Sequence, residues 1–444
     1  MAVPVTDRRE FLHSGVVALG SLGMTHLMPM LHVAGAEKEI EEKPAEPIRL
    51  AIMGLNSRGL QLLQSLVKFS EQEVEIVCLA DPDSEVFAPA LKLLAEHKRR
   101  TPNVMADFRR ALDDKQVDAL VCAAPDHWHA LATIWGCQAG KHVYVEKPVC
   151  HNLHEGWAMV AAARKYDRKV QAGTQRRSAA EIREAIEMIH AGKLGKVNLV
   201  KCWTTGVRPS IGKVDVSPAP KNLDFDLWCG PAPNQGYKTN LVHYHWHWRW
   251  DYGTGECGNN GIHSIDVARW GLQVDGPQTV VSGGSRYFFE DDQETPDTQF
   301  AVFDTPNGCI EFEQRTWTDR GTDGQTFGIS FFGTEGTLTI GASGWTLYGG
   351  KRGEEVIEKR PGGDYMKPHF QNFFDGIRKG TELNAEIEKS VLSTQYCLLA
   401  NIALRTRSTV KFDSATREII DNPAASALLR RENRSGFEIP KELG

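Results

Sequence analysis

The sequence predicts an α/β protein in two parts, a doubly wound parallel sheet followed by an α+β domain with a large open, mainly antiparallel sheet. Three observations predict it. Short apolar runs alternate with helical patterns from residue 48 to 146, as right-handed βαβ crossovers require. A glycine turn closes the first of those runs. Beyond about residue 175 the segments lengthen, alternate and become rich in β-branched residues, the pattern of strands with one polar face.

IRLAIM (48–53) is the first strand, and RGLQLLQSLVKF (58–69) has helical spacing. EVEIVCLA (73–80) and SEVFAPALKLLAEHK (84–98) repeat the pair, and VDALVCAA (117–124) and HVYVE (142–146) flank a helix at 129–140. A helix over 181–195 leads into VNLVKCWTTG, TVVSGGSRYFFE, QFAVFDT, GCIEFEQRTW, TFGISFFG and GTLTIG, read as strands. Helices return at 367–380 and 389–405. The expected organisation is a first domain over 48–175, a second over 176–420, and a tail over 421–444 that packs back on the body.

The chain has 444 residues, 41% apolar and 24% charged, with a formal net charge of −6. That balance is ordinary for a globular protein and gives no reason to expect a nucleic-acid or acidic-membrane partner. No run of about 18 apolar residues suggests a membrane span. Residues 1–36 read as a twin-arginine signal: Arg8 and Arg9, an apolar stretch from Val16 to Met24, then Ala34-Gly35-Ala36 as a cleavage pattern. Such signals export folded proteins, so a periplasmic or otherwise exported location is expected. EKEIEEKPAEP (37–47) follows as a charged tether. The nine cysteines form no CxxC pair, which argues for buried thiols over a disulfide framework.

The glycine turn reads Gly54-x-Asn56-Ser57-Arg58-Gly59, a dinucleotide fingerprint with asparagine at its middle glycine. Asparagine tolerates left-handed backbone angles, and the helix start behind it offers free N–H groups to phosphate. The second strand ends at Asp81, about 20 residues on, where an acid meets the adenosine ribose. No arginine or lysine follows in PDSE. NAD is therefore expected rather than NADP, on a Rossmann domain.

KHVYVEKPV (141–149) aims Lys147, after Glu146, off the carboxyl edge of the sheet, where open α/β folds bind ligands. With the glycine turn, the strand-two acid, APDHWH (124–129) and a downstream G-x-H-x-x-D segment, the chain resembles the glucose-fructose oxidoreductase, inositol dehydrogenase and MocA family over nearly all of residues 48 to 420. The resemblance implies hydride transfer between a sugar or polyol carbon and nicotinamide. It makes Lys147 the proton acceptor or orienter of the reacting hydroxyl, and puts His129, with Pro125 before it, over the cofactor. It also makes Gln175 and Arg176 of GTQRRS candidates near nicotinamide and substrate, and it implies pairing through the open sheet into a homo-dimer or homo-tetramer.

The sequence departs from that family at GNNGIHSID. His263 takes the place of the family histidine, and Asn259 stands where an aspartate is usual. An amide can position a hydroxyl but cannot take its proton, which leaves Lys147 or His263 for that role, with Glu256 or Asp251 as nearby acids. Asp266 is either an orienting partner of His263 or a helix acid.

HYHWHWRW (243–250) raises a metal site as one reading. Read as a strand, it puts His243, His245, His247 and Arg249 on one face and Tyr244, Trp246, Trp248 and Trp250 on the other. A family that runs on nicotinamide requires no metal. His245, His247, Trp248 and Arg249 are better read as a wall for a carbohydrate or polyol substrate. The expected function is an exported NAD-dependent oxidoreductase with tightly held cofactor, acting on a sugar, polyol or glycoside. A redox-neutral NAD-dependent glycoside hydrolase or lyase (oxidation, elimination, hydration, reduction) is the alternative. A non-catalytic carbohydrate-binding protein on the same scaffold is a third reading.

Overall fold

The computed structural model describes residues 46–350, 353 and 355–443. The signal expected over 1–36 and nearly all of the tether lie outside them. Buried apolar runs make the first strands: β1 (Ile48–Met53), α1 (Arg58–Leu66), β2 (Val74–Ala80), α2 (Phe87–Glu96), β3 (Asn103–Met105), α3 (Arg109–Asp113), β4 (Ala119–Cys122), α4 (Asp126–Gln138), β5 (His142–Val145), α5 (Leu153–Lys165) and β6 (Val170–Ala172). They form a six-stranded sheet of order β3-β2-β1-β4-β5-β6, parallel at each pairing. The order reverses between β1 and β4, which opens a crevice above their carboxyl ends.

α6 (Ala180–His190) leads into β7 (Val197–Val207), and α7 (Phe225–Cys229) and α8 (Ile262–Leu272) follow. Next come β8 (Thr279–Ser285), β9 (Thr298–Thr305), β10 (Gly308–Arg315), β11 (Trp317–Thr318), β12 (Phe327–Gly333), β13 (Thr337–Gly341), β14 (Gly344–Gly349) and β15 (Glu355–Pro361). The chain closes with α9 (Met366–Lys379), α10 (Ile387–Thr406), β16 (Val410–Asp413), β17 (Glu418–Ile420) and α11 (Pro423–Ser426). The second sheet is eleven-stranded, β15-β14-β13-β12-β7-β10-β9-β8-β16-β17 with β11 paired to β7. Its β7–β10 pairing is parallel and its other pairings are antiparallel. Strict alternation in β9 buries Ala301 and Phe303 and turns Phe300 and Val302 outward. α6, α8 and α10 pack on this sheet from its inner side.

The two parts share their cores. Phe370, Phe373 and Phe374 of α9 pack with Tyr144 of β5 and residues of α1, and Phe69 meets Phe374 edge-on at 5.2 Å. The C-terminal tail lies against α4, where Phe437 meets Trp128 at 5.6 Å. The nine cysteines are free, and all but Cys309 are buried. No helix among the described residues is long and apolar enough to cross a membrane.

Three local expectations need correction. The run 243–250 is no strand: a 3-10 turn spans His245–Trp248. The run carries no β-branched residue, and two of its ring nitrogens bond locally, Trp246 Nε1 to the His243 carbonyl at 2.8 Å and His247 Nδ1 to that of Tyr244 at 2.6 Å. The helix expected at 129–140 starts earlier, because α4 begins at Asp126 directly after Pro125, a fitting N-terminal neighbour for a helix. Asp266 does not orient His263; it accepts Arg177 Nε and Nη2 at 2.8–2.9 Å and Ser393 Oγ at 2.6 Å.

The Arg177–Asp266 pair is fully buried, so removing one partner strands a charge. Asp266→Ala is expected to lower the unfolding free energy by about 3–5 kcal/mol, measured by denaturant titration. The double variant Arg177→Met with Asp266→Leu is expected to recover most of that loss.

Candidate active site

The β1–α1 turn fits a dinucleotide phosphate closely. Gly54 has φ +81°, and a Cβ there would stand 2.7 Å from the backbone of Ala123 and Ala124; one on Gly59 would meet the Gly54 carbonyl oxygen at 1.8 Å. Neither position admits a side chain. Asn56, Ser57 and Arg58 follow at the cavity wall, with Ser57 as the N-terminal cap of α1 at φ 47°. Asp81 accepts from Leu55 N at 2.8 Å and Asp83 N at 2.9 Å. Burial pushes its carboxyl up to about 6. Asp81 and Lys147 follow β2 and β5, three strand spacings or about 14 Å apart across the crevice. Both line one cavity of about 410 Å³, a size suited to ligand binding.

At the Lys147 end the polar groups interlock. Glu146 accepts Arg58 Nε at 2.9 Å, and Gly173 leaves room for it, since a Cβ there would come within 2.6 Å of the carboxylate. Lys147 Nζ donates to the main-chain oxygen of Asn259 at 2.8 Å and to its Oδ1 at 3.1 Å. Burial lowers the Lys147 ammonium below its ordinary range, against the pull of Glu146 and Asp126. His129 sits between the carbonyls of Pro148 and Ala124 at 2.6 and 2.8 Å and braces the turn that carries Lys147. It lines the cavity together with Pro125.

Asn259 lines the cavity from a π-helical turn (Cys257–Gly261) that opens α8. His263 follows one turn later. Its Nδ1 is buried with no hydrogen-bond partner among the described residues. Burial, then the charges of Lys147, Arg176 and Arg58, hold its imidazole well below the usual range and hence neutral. Gln175 is buried on a short 3-10 turn, its Oε1 without a partner among the described residues. Arg176 lies over the Phe327 ring at 4.2 Å.

The 208–252 excursion builds a small core of its own from Leu223, Phe225, Trp228, Leu241, Trp246 and Tyr252. It docks on the nucleotide domain through Asp83, which accepts Asn222 Nδ2 at 2.7 Å and faces His243 Nε2 at 2.8 Å. The structure brings His247 to the cavity, stacked on Trp246 at 3.6 Å. It holds other residues of the run elsewhere. Arg249 pairs with Asp292 at 3.2 Å and Glu294 at 3.5 Å, His245 lies outside the cavity lining, and buried Trp248 supports the Arg208 guanidinium at 4.9 Å. Among the described residues no three His, Cys, Asp or Glu side chains are grouped to hold a metal. Neither nearby acid lines the cavity: Glu256 lies behind Asn259 and is gripped by Arg208 at 2.8–3.0 Å, and Asp251 bonds with Gln235.

Sequence reasoning passes over Asp126 and Arg208. Asp126 lines the cavity, accepts Thr254 Oγ1 at 2.8 Å and is pushed by burial up to about 7. An acid opening a helix at the carboxyl edge of the sheet was its only signal. Arg208 belongs to an aperiodic stretch that carries none.

A doubly wound nucleotide fold with this turn, a strand-two acid and a half-buried lysine at the carboxyl edge of the sheet defines a dinucleotide-dependent oxidoreductase class. Residues 48–174 match the model described as the oxidoreductase family's NAD-binding Rossmann fold, and residues 201–283 that of its C-terminal alpha/beta domain. Residues 48–174 and 201–283 thus match the two domain models of the Gfo/Idh/MocA oxidoreductases in chain order. The chain is 25% identical over 169 residues to glycosyl hydrolase family 109 protein 2 of Shewanella sp. (strain ANA-3), covering 35% of this chain and 37% of that protein. The chain thus matches well under half the length of that curated relative. In fold it is similar to aldose-aldose oxidoreductase from Caulobacter crescentus, crystallised with glycerol (TM-score 0.64, 18% identity, 83% of this chain and 100% of that one). It is equally similar to the WlbA dehydrogenase from Bordetella pertussis in complex with NADH and UDP-GlcNAcA (TM-score 0.64, 17% identity, 83% and 99%).

Gly54→Ala is expected to weaken NAD binding at least about tenfold, because the added Cβ must displace the Ala123 backbone and hold a strained φ. Calorimetric titration of the variant against the unaltered chain measures it.

Proposed function

We propose that the chain is an NAD-dependent oxidoreductase that moves hydride between a carbon of a sugar, polyol or glycoside and a tightly held cofactor. The observation that carries this reading is Lys147 Nζ, half-buried at the cavity and, among the described residues, bonded only to the uncharged Asn259. The residues present fit the cofactor. The Gly54–Gly59 turn would take its pyrophosphate on free N–H groups, and Asp81 its adenosine ribose. Pro82 and Asp83 beside Asp81 offer a 2′-phosphate no cation, which favours NAD over NADP. When bound, nicotinamide supplies the hydride acceptor or donor.

Lys147, as the free amine, takes the proton of the reacting hydroxyl, and the ammonium returns it in the reverse direction. Trp246 and His247, which line the cavity, form an apolar and polar wall for the ring, whereas His263 lies outside that lining. Asn259 orients Lys147 without titrating.

The matches to family 109 glycosyl hydrolases favour a second reading, a redox-neutral cleavage. There, the same Lys147 would take the hydroxyl proton as the carbon loses its hydride, the chemistry that bound nicotinamide would supply; the ketone so formed would acidify the neighbouring C–H for elimination, and water addition with return of the hydride would restore the alcohol. The twin arginines at Arg8 and Arg9 support export with the cofactor already enclosed; cell fractionation with the signal intact or altered to Lys-Lys tests that. The outward face of the second sheet, where Val281, Phe300 and Val302 are 43–50% exposed, supports pairing with a second copy as a homo-dimer or homo-tetramer.

The test is to purify the chain, release bound small molecules by heat and identify them, then assay sugars and nitrophenyl glycosides. NAD is expected in the released fraction, and Lys147→Met is expected to retain it while losing about 10²–10⁴-fold in turnover. Turnover should rise with pH through the depressed Lys147 pKa, because the amine acts only once deprotonated. Undiminished turnover by Lys147→Met would sink the reading. Phenol release with no net NADH selects the redox-neutral route.

A further inference from the structure

The Asn259 side chain is held at both ends. Its oxygen faces Lys147 Nζ at 3.1 Å, and its Nδ2 donates to Glu256 Oε2 at 3.2 Å. Glu256 Oε1 also accepts from Asn260 Nδ2 at 2.6 Å, and Arg208 Nη2 reaches both Glu256 oxygens at 3.0 and 2.8 Å. Arg208 is fixed in turn by Nη1 to Tyr244 Oη at 2.9 Å and by the face of Trp248. Glu256 is 4% exposed and Asn259 6%, so water does not compete for these groups.

A flipped amide would set its oxygen against the Glu256 carboxylate, which is repulsive, and would leave Lys147 without its side-chain acceptor. The orientation therefore has a cause inside the chain. It has a consequence too. A neutral amine keeps two hydrogens and one lone pair. The two acceptors that Asn259 presents, its main-chain oxygen at 2.8 Å and Oδ1 at 3.1 Å, take both hydrogens and leave the lone pair for the cavity. An aspartate at 259 would add a negative charge and hold the ammonium instead.

We propose that Glu256 is a positioning residue, which, gripped by Arg208, holds the Asn259 amide so that both hydrogens of the neutral Lys147 amine are committed and its lone pair faces the reacting hydroxyl. The proposal rests on Lys147 being the proton acceptor. Other charges also face Lys147: Glu146 beside it, Asp126 from α4, Arg58 from α1 and Glu256 itself. Burial turns His129, His247 and His263 towards neutrality. A shift caused by the Glu256 charge alone must be told apart from one that passes through Asn259.

Competitive acetylation of the full chain across pH, with Lys147 read by peptide mass spectrometry, does this without substrate. Glu256→Gln is expected to raise Lys147 reactivity near neutral pH about threefold or more, since each tenfold corresponds to one pKa unit. In an Asn259→Ala background the same substitution should change it less than about 1.5-fold. Equal effects in both backgrounds would mean charge acting through space, and no effect in either would mean no coupling; both overturn the proposal. Thermal melts check that each variant folds, and Arg208→Met, which frees Glu256, is read through the same cycle should Glu256→Gln not fold. Asn259→Asp should move the labelling midpoint to higher pH, and an unmoved midpoint also counts against the proposal. A positive cycle in a chain whose Lys147→Met variant still turns over substrate would refute the proton-acceptor role and leave the positioning intact.

Discussion

The hydrogen bonds from Lys147 to Asn259 join the two halves of the molecule at the cavity that Asp81 and Lys147 share. The lysine comes off β5 of the parallel sheet, and the asparagine comes from the turn that opens α8 against the second sheet. The halves share their cores, and neither alone makes the site. Burial makes the contact consequential: a lysine in water would stay an ammonium whatever its neighbour, whereas here the loss of hydration leaves its protonation to the few groups around it. A neutral amide in that shell tips the balance towards the free amine, and the surrounding pairs, Arg58 with Glu146 and Arg208 with Glu256, neutralise their own charges nearby.

The nucleotide half was legible in the sequence because its signals are local. A strand ending at Gly54, an acid ending the next strand and a lysine after β5 each sit in a short segment whose period and punctuation specify its place. The strand order follows from chirality and short connections. The α10 helix and the β9 alternation were legible for the same reason. Asn259 and His263 were found through resemblance to a family motif, and their partners were not: His263 has none at Nδ1, and Asp266 serves Arg177.

The 208–252 excursion was the least legible part. It has no hydrophobic period, because its small core is assembled from Leu223, Trp228 and Tyr252 in an irregular path. In HYHWHWRW, alternation imitated a strand. Alternation reports a sheet face only when a neighbouring strand accepts the backbone hydrogen bonds, and here the His243 and Tyr244 carbonyls take indole and imidazole N–H groups instead. Arg208 owes its importance to contacts with residues 36 to 48 positions away, a separation no local pattern encodes.

The docking of that excursion on Asp83 bears on kinetics as well as shape. Asn222 and His243 reach across from the second half to a residue two places beyond the strand-two acid, over the cavity that Asp81 and Lys147 share. In the proposed function, a dinucleotide in that cavity would lie beside His243, which lines it. An enzyme that keeps its cofactor between turnovers alternates between two forms, oxidised and reduced. Its two substrates then visit in succession and never meet, so the rate law has two half-reactions and no ternary complex.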